Sequence, residues 1–199
     1  MPHILHAYDT THPQYTLRIH DNWLSTPKAQ HIAPALRATA PSHLTPLTLS
    51  HDITLYTDGS VDPITGAAGV AFISEGASNK WRVSNGASSF QTELVAIRGA
   101  LEHGSSHQPV SPLIATDSKS ALQALKNSSP TENRHLLTHI HSILHTLQEE
   151  GIHLSFIWIP SHIGIHGNEK ADTIAKEAAR RPTIDVELPK NPSIIKQQT

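Results

Sequence analysis

A chain of 199 residues with 37% hydrophobic content can bury one core and carry some extra segment, whereas two full domains would be cramped. The absence of cysteine excludes a disulfide framework, thiolate zinc sites and a cysteine nucleophile, and points to an intracellular setting, cytoplasmic or nuclear. A net charge of −2 argues against strong unaided binding of nucleic acid: Lys119, Lys126, Arg134, Lys170, Lys176, Arg180 and Arg181 are scattered, and the sixteen histidines add charge only at mildly acidic pH.

In chain order, residues 1–50 are dominated by Pro, His, Thr and Ser, with short apolar pieces such as Tyr15 to Ile19, and read as a linker-like segment, partly ordered. Neither a signal-like amino terminus nor a run of roughly 18 apolar residues occurs, so no membrane partner is expected. Ile53 to Thr57 is a β-branched and aromatic run stopped by Asp58-Gly59-Ser60, a strand ending in a turn. Gly69 to Ile73 and Lys80 to Ser84 follow, separated by turn-prone residues, which predicts an antiparallel meander of three strands. From Gln91 to His103 the period changes to that of a helix, with Leu94, Ile97 and Leu101 on one stripe. Pro112 to Thr116 fits a buried strand, and Asp117 or Ser118 can cap a helix over 119–125. A longer helix spans about 132–150, a fifth strand 152–159, and a last helix 168–180 before Pro182. The domain is thus expected over 51–181, with 182–199 as a tail.

Asp58 and Asp117 each follow a strand that should be central, where open α/β sheets gather ligand groups. Glu93 lies beside the apolar stripe of the first helix of this domain, and Asp172 borders the buried face of the last. Singly, each acid has an ordinary explanation: a turn residue, a first-turn acid, a cap, or half of an i,i+4 pair with Lys176. Together, four crowded acids repel unless cations hold them, and an all-oxygen set suits Mg²⁺ or Mn²⁺.

Tyr56-Thr57-Asp58-Gly59-Ser60, Gln91-Thr92-Glu93-Leu94, Ala115-Thr116-Asp117-Ser118 and the block Trp158 to Asp172 resemble, in order and spacing, the type 1 ribonuclease H family. The likeness is greatest to the version in non-LTR retrotransposon polyproteins, where a reverse transcriptase precedes the nuclease. It implies a ribonuclease H-like α/β fold, with a five-stranded mixed sheet ordered 3-2-1-4-5 and flanked by helices. It also implies endonucleolytic cutting of the RNA strand of an RNA/DNA hybrid, leaving 5′-phosphate and 3′-hydroxyl ends.

Carried over by position, Asp58, Glu93, Asp117 and Asp172 hold two Mg²⁺ ions, for which Mn²⁺ can substitute, with Asp58 as the bridge. His162 takes the place of the family's loop histidine, which moves a proton or assists product release. His166 reads as a surface loop residue, and Asn168 and Glu169 as residues that cap and orient the last helix. Gly59, Ser60, Ser89, Gln91 and Ser118 are the substrate-contact candidates. Ser88-Ser89-Phe90-Gln91 stands where many members carry Asn before the helix glutamate. The basic protrusion of the bacterial type is replaced by His135, His139, His141 and His145, which read as a solvated helix face. No Tyr-x-Asp-Asp run occurs, so polymerase chemistry is not expected here; the chain reads as a fragment whose tethered reverse transcriptase supplies hybrid affinity.

Overall fold

β-Branched and aromatic residues alternate with small ones in the segments that form strands, and the longer apolar stripes of period 3.6 form the helices that cover them. The structure is a computed structural model that describes residues 16–24, 33–107, 111–127 and 133–189. The strands are β1 (Arg18–His20), β2 (Ile53–Val61), β3 (Ala68–Ser74), β4 (Ala77–Val83), β5 (Pro112–Thr116) and β6 (Ser155–Trp158). The helices are α1 (Ala33–Ser50), α2 (Ser89–His107), α3 (Lys119–Lys126), α4 (Arg134–Glu149) and α5 (His166–Ala179). One six-stranded sheet has the order β1-β6-β5-β2-β3-β4. β2, β3 and β4 pair antiparallel, whereas β2 with β5, β5 with β6, and β6 with β1 pair parallel. Without β1 this is the expected order; the expected five strands become six.

Two further differences are physical. Asp58-Gly59-Ser60 is not a turn. β2 continues through it to Val61 because β3 supplies partners, Asp58 opposite Ala71 and Gly59 opposite Val70, and the chain turns only at 62–66, where Asp62 accepts hydrogen bonds from the N–H groups of Ile64 and Thr65. Residues 18–20 and 33–50, expected within a linker-like segment, are a strand and a helix. β1 covers the open edge of β6, and Asp21, 5% exposed, receives a 2.7 Å hydrogen bond from Lys126 at the end of α3. Helix α1 contains Pro41 and Pro46, which cannot donate to the helix ladder; its buried residues Leu36, Ala40 and Leu44 recur every four positions, so packing rather than propensity holds it. Residues 1–15 and 25–32 of the expected linker lie outside the described residues. Of the expected tail, Val186 bridges Val83, and Arg82 and Arg181 engage Asp185, while 190–199 lie outside the described residues.

The main core lies between the sheet and helices α2, α3 and α4, with Phe72, Leu94, Ile97, Leu101, Leu122, Ile140 and Phe156 almost fully buried. Among the described residues no helix is long and apolar enough to cross a membrane. On the opposite face α5 lies directly on the sheet: a Cβ on Gly69 of β3 would stand 2.3 Å from the Ala175 carbonyl oxygen and the Ala179 nitrogen. Only a residue without a side chain permits this approach, because both neighbours are helix backbone. Gly69→Ala should therefore lower stability by about 1–3 kcal/mol, read as a lower urea midpoint at unchanged m-value; an unchanged midpoint would show that α5 can ride outward freely.

Candidate active site

Parallel pairing sets the first two acids side by side. Thr57 of β2 is in register with Thr116 of β5, so the next residues, Asp58 and Asp117, leave the paired region at the same level. The parallel ladder ends there while β2 runs on against β3, which opens a gap at the sheet margin beyond β5.

Glu93 reaches this margin from α2. Ser88 and Gln91 begin that helix reciprocally, with Ser88 Oγ accepting from the Gln91 N–H and Gln91 Oε1 accepting from the Ser88 N–H, a capping box. Just beyond it, Thr92 packs against the strand so tightly that a Cβ on Gly59 would lie 2.5 Å from Thr92 Oγ1. That contact brings the Gly59 N–H to the Glu93 carboxylate. Carboxylate oxygens of Asp58, Glu93 and Asp117 lie within 4.8 Å of one another.

Asp172, the fourth predicted acid, is outside that group of three. Its carboxylate accepts a 2.7 Å hydrogen bond from Lys176 one turn along α5, although its charge still reaches Asp58. The other predicted residues divide by location. Gly59 and Ser60 continue β2 beside Asp58; Ser118 is the N-cap of α3, accepting from the Ala121 N–H; Ser89 is exposed at the start of α2; Gln91 is buried, its oxygen occupied by the cap. His162 is exposed in the loop between β6 and α5 and has a φ of 57°, a left-handed conformation unusual for a residue with a Cβ. The loop around it is anchored by Ile163, which packs with Leu36 and Ala40 of α1, and by Glu169, which accepts from the Gly164 N–H. His166 begins α5 at the surface. His135 and His139 are exposed on α4; His141 and His145 are half-buried, the burial of His141 pushing its pKa down.

Two contributors escape a reading by motif alone. Asn168, expected at the start of the last helix, is the third residue of α5 and 3% exposed, and its Nδ2 donates to Asp117 at 3.3 Å. Trp158 donates from Nε1 to the Asp117 carbonyl, and Trp23 in turn donates from its own Nε1 to the Trp158 carbonyl, so the segment before α1 braces the strand end. The Ser-x-x-Gln signal of the capping box was present in the sequence; no local signal announced Asn168 or Trp23.

Electrostatically the group is under tension. Burial, then the charges of Asp117 and Asp172, push the Asp58 pKa up to about 8, with Lys176 opposing. Burial and the charges of Asp58 and Asp117 push Glu93 well up, with the Gly59 N–H opposing, and the two titrate as a linked set. Glu93 Oε2 is buried and has no hydrogen-bond partner. A carboxylate with an orphaned oxygen, clustered with two more acids, fits a hard divalent cation with oxygen ligands, and Asp58, Glu93 and Asp117 are the residues placed to hold one.

A protein-family model described as RNase H matches residues 50–180, more than half of the chain. The matched span holds the three clustered acids, Asp172 and the His162 loop, and excludes β1, most of α1 and the strand-like tail segment at Val186.

The raised Asp58 fixes a sign. Its folded value of about 8 lies above that of an unfolded chain, about 3.9, so between these the folded protein holds a proton that the unfolded chain has released. In chelator, the contribution of Asp58 to stability should be fullest below about pH 4 and be lost as pH rises toward 8. Asp58→Asn should flatten that decline, and adding Mg²⁺ to the parent should release protons and raise the melting temperature. A parent that loses no more stability in chelator across this window than Asp58→Asn does would contradict the raised Asp58.

Proposed function

The chain belongs to the RNase H family and is a ribonuclease H, a hydrolase of RNA/DNA hybrids, and we propose that Asp58, Glu93, Asp117 and Asp172 together hold two Mg²⁺ ions, or Mn²⁺ in their place, to cut the RNA strand. The observation that carries this reading is the carboxylate cluster with its orphaned Glu93 oxygen. Bound there, the divalent cations supply charge neutralisation at the attacked phosphodiester and the departing 3′ oxygen, and they acidify the attacking water.

The chain's own residues do the rest. Asp58, which feels the charges of Glu93, Asp117 and Asp172, would be one of the residues that hold the cations. Glu93 is fixed by the contact of α2 with Gly59, so its oxygens are preorganised and do not reorient during reaction. Asn168 orients Asp117. Asp172, now held by the Lys176 ammonium, would complete the set that holds the cations. His162, exposed on a loop braced at Ile163, carries a proton between the reacting groups and solvent. Ser60 and Ser118, flanking the acids, are the hydroxyls best placed to meet the RNA 2′-hydroxyl; Gly59, Ser89 and the remaining amide group of Gln91 extend that contact along the start of α2. The setting we propose is the nuclease part of a non-LTR retrotransposon polyprotein. Its support is the Trp158 to Asp172 block, with a net charge of −2 that suits a nuclease held on its substrate by an attached reverse transcriptase.

The test is cleavage of an end-labelled hybrid in Mg²⁺, beside double-stranded DNA, double-stranded RNA and single strands. The hybrid alone should be cut, within its RNA strand, leaving 5′-phosphates; equal cutting of double-stranded DNA would overturn the reading. Asp117→Asn removes a charge at little steric cost and should lower kcat on the order of a hundredfold or more, the scale of losing one preorganised electrostatic group. Parent-like turnover would remove Asp117 from the mechanism. His162→Ala should lower kcat and change its pH profile while leaving KM near the parent's, whereas a rise in KM alone would assign it to binding.

A further inference from the structure

Beyond the carboxylates, β2 and α5 run in step. Alternate residues of a strand advance about 6.6 Å, and every fourth residue of a helix about 6 Å. Asp58 accordingly feels the charges of Asp172 and Lys176, Ser60 and Lys176 line one cleft, and Asp62 feels the charge of Arg180. The cleft has a volume of about 700 Å³ and starts where Lys176 holds Asp172. Four cationic residues line it, Arg82, Lys176, Arg180 and Arg181, against the single acid Asp62, in a chain whose net charge is −2.

These cations are not equivalent. Arg82 is buried and structural, donating to the carbonyls of Ala68, Val83 and Arg181 and to Asn85. Arg181 is tied to Asp185 at 2.7 Å, and Lys176 to Asp172. Arg180 follows the last residue of α5, is exposed, and lines the cleft beside Asp62. A helix carboxyl end is where a cation is best tolerated, and its guanidinium can engage a phosphate through two donors at once.

We propose that this cleft is a phosphate-backbone track, in which Arg180, supported by Arg181, binds the strand being cut at a phosphate some nucleotides away from the scissile bond. This deepens the hybrid-nuclease reading and rests on it for the identity of the strand. Arg180 is eight residues beyond Asp172, roughly 12 Å along the helix axis, and a duplex strand advances about 3.4 Å per phosphate. The contacted phosphate therefore lies about three or four nucleotides from the cut. Asp62 at the rim disfavours phosphates elsewhere, which makes the track selective in position.

The experiment measures equilibrium binding of a fluorescent RNA/DNA hybrid to the full chain in chelator, over a series of salt concentrations, so that it reads affinity independently of hydrolysis. Arg180→Ala should weaken binding and reduce the slope of log affinity against log salt by about 1, while Arg180→Lys should keep most of the slope. In Mg²⁺, with cleavage suppressed by Asp117→Asn, hybrids whose cut strand carries one neutral methylphosphonate should bind more weakly when it lies about three or four nucleotides from the cut, and adding Arg180→Ala should erase that difference. An unchanged slope in Arg180→Ala, a methylphosphonate effect confined to the uncut strand, or no hybrid binding by the parent would each overturn the track. Binding with the expected slope change in a parent that never cuts the hybrid would leave the track standing and defeat the nuclease reading instead.

Discussion

Like charges held close together in poorly hydrated surroundings repel, and that repulsion organises this molecule. Asp58, Glu93 and Asp117 are brought within 4.8 Å, from two strands and a helix, at the place where the parallel part of the sheet ends. The chain tolerates them by protonation, with Asp58 raised to about 8 and Glu93 well up, and by Lys176 on the neighbouring Asp172. Each accommodation can be exchanged for a divalent cation. The strain of assembling the acids thus becomes affinity for the group that relieves it.

Such a cluster survives only on stiff supports. Two close approaches supply them, α2 on β2 at Gly59 and α5 on β3 at Gly69, where a single added carbon would collide with the facing residue or its backbone. The capping box at Ser88 and Gln91 fixes where α2 begins, which sets the reach of Glu93. The helix that presents Asp172 also carries Lys176 and leads directly into Arg180, so α5 brings the fourth proposed acid and a cationic margin from one element.

The segments flanking the family-matched span contribute to the same support. Strand β1 completes the sheet edge, Trp23 braces the end of β6, and Leu36 and Ala40 of α1 pack against Ile163 beside the loop histidine. At the opposite edge, Val186 and Asp185 hold Arg82 and Arg181 at the back of the cleft. Residues that carry no chemistry therefore determine how firmly the chemical ones are held.

The strands and helices of the 53–180 region and the four acids were legible in the residues alone, because period-2 and period-3.6 apolar patterns and short motifs are local properties of a chain. The sequence placed Asp58 at a turn because Asp-Gly-Ser is turn-prone in isolation; partners on β3 overrode that preference. It read residues 33–50 as linker because two prolines and scattered polar residues conceal the Leu36, Ala40, Leu44 spacing, whose worth depends on the surface it meets. Packing settled the rest: Asn168 holds Asp117, Asp172 is bound by Lys176 outside the group of three acids, and Arg180 shares a cleft with Ser60. Those facts rest on distances between residues remote in sequence, and such distances are set by how the elements pack rather than by any segment alone.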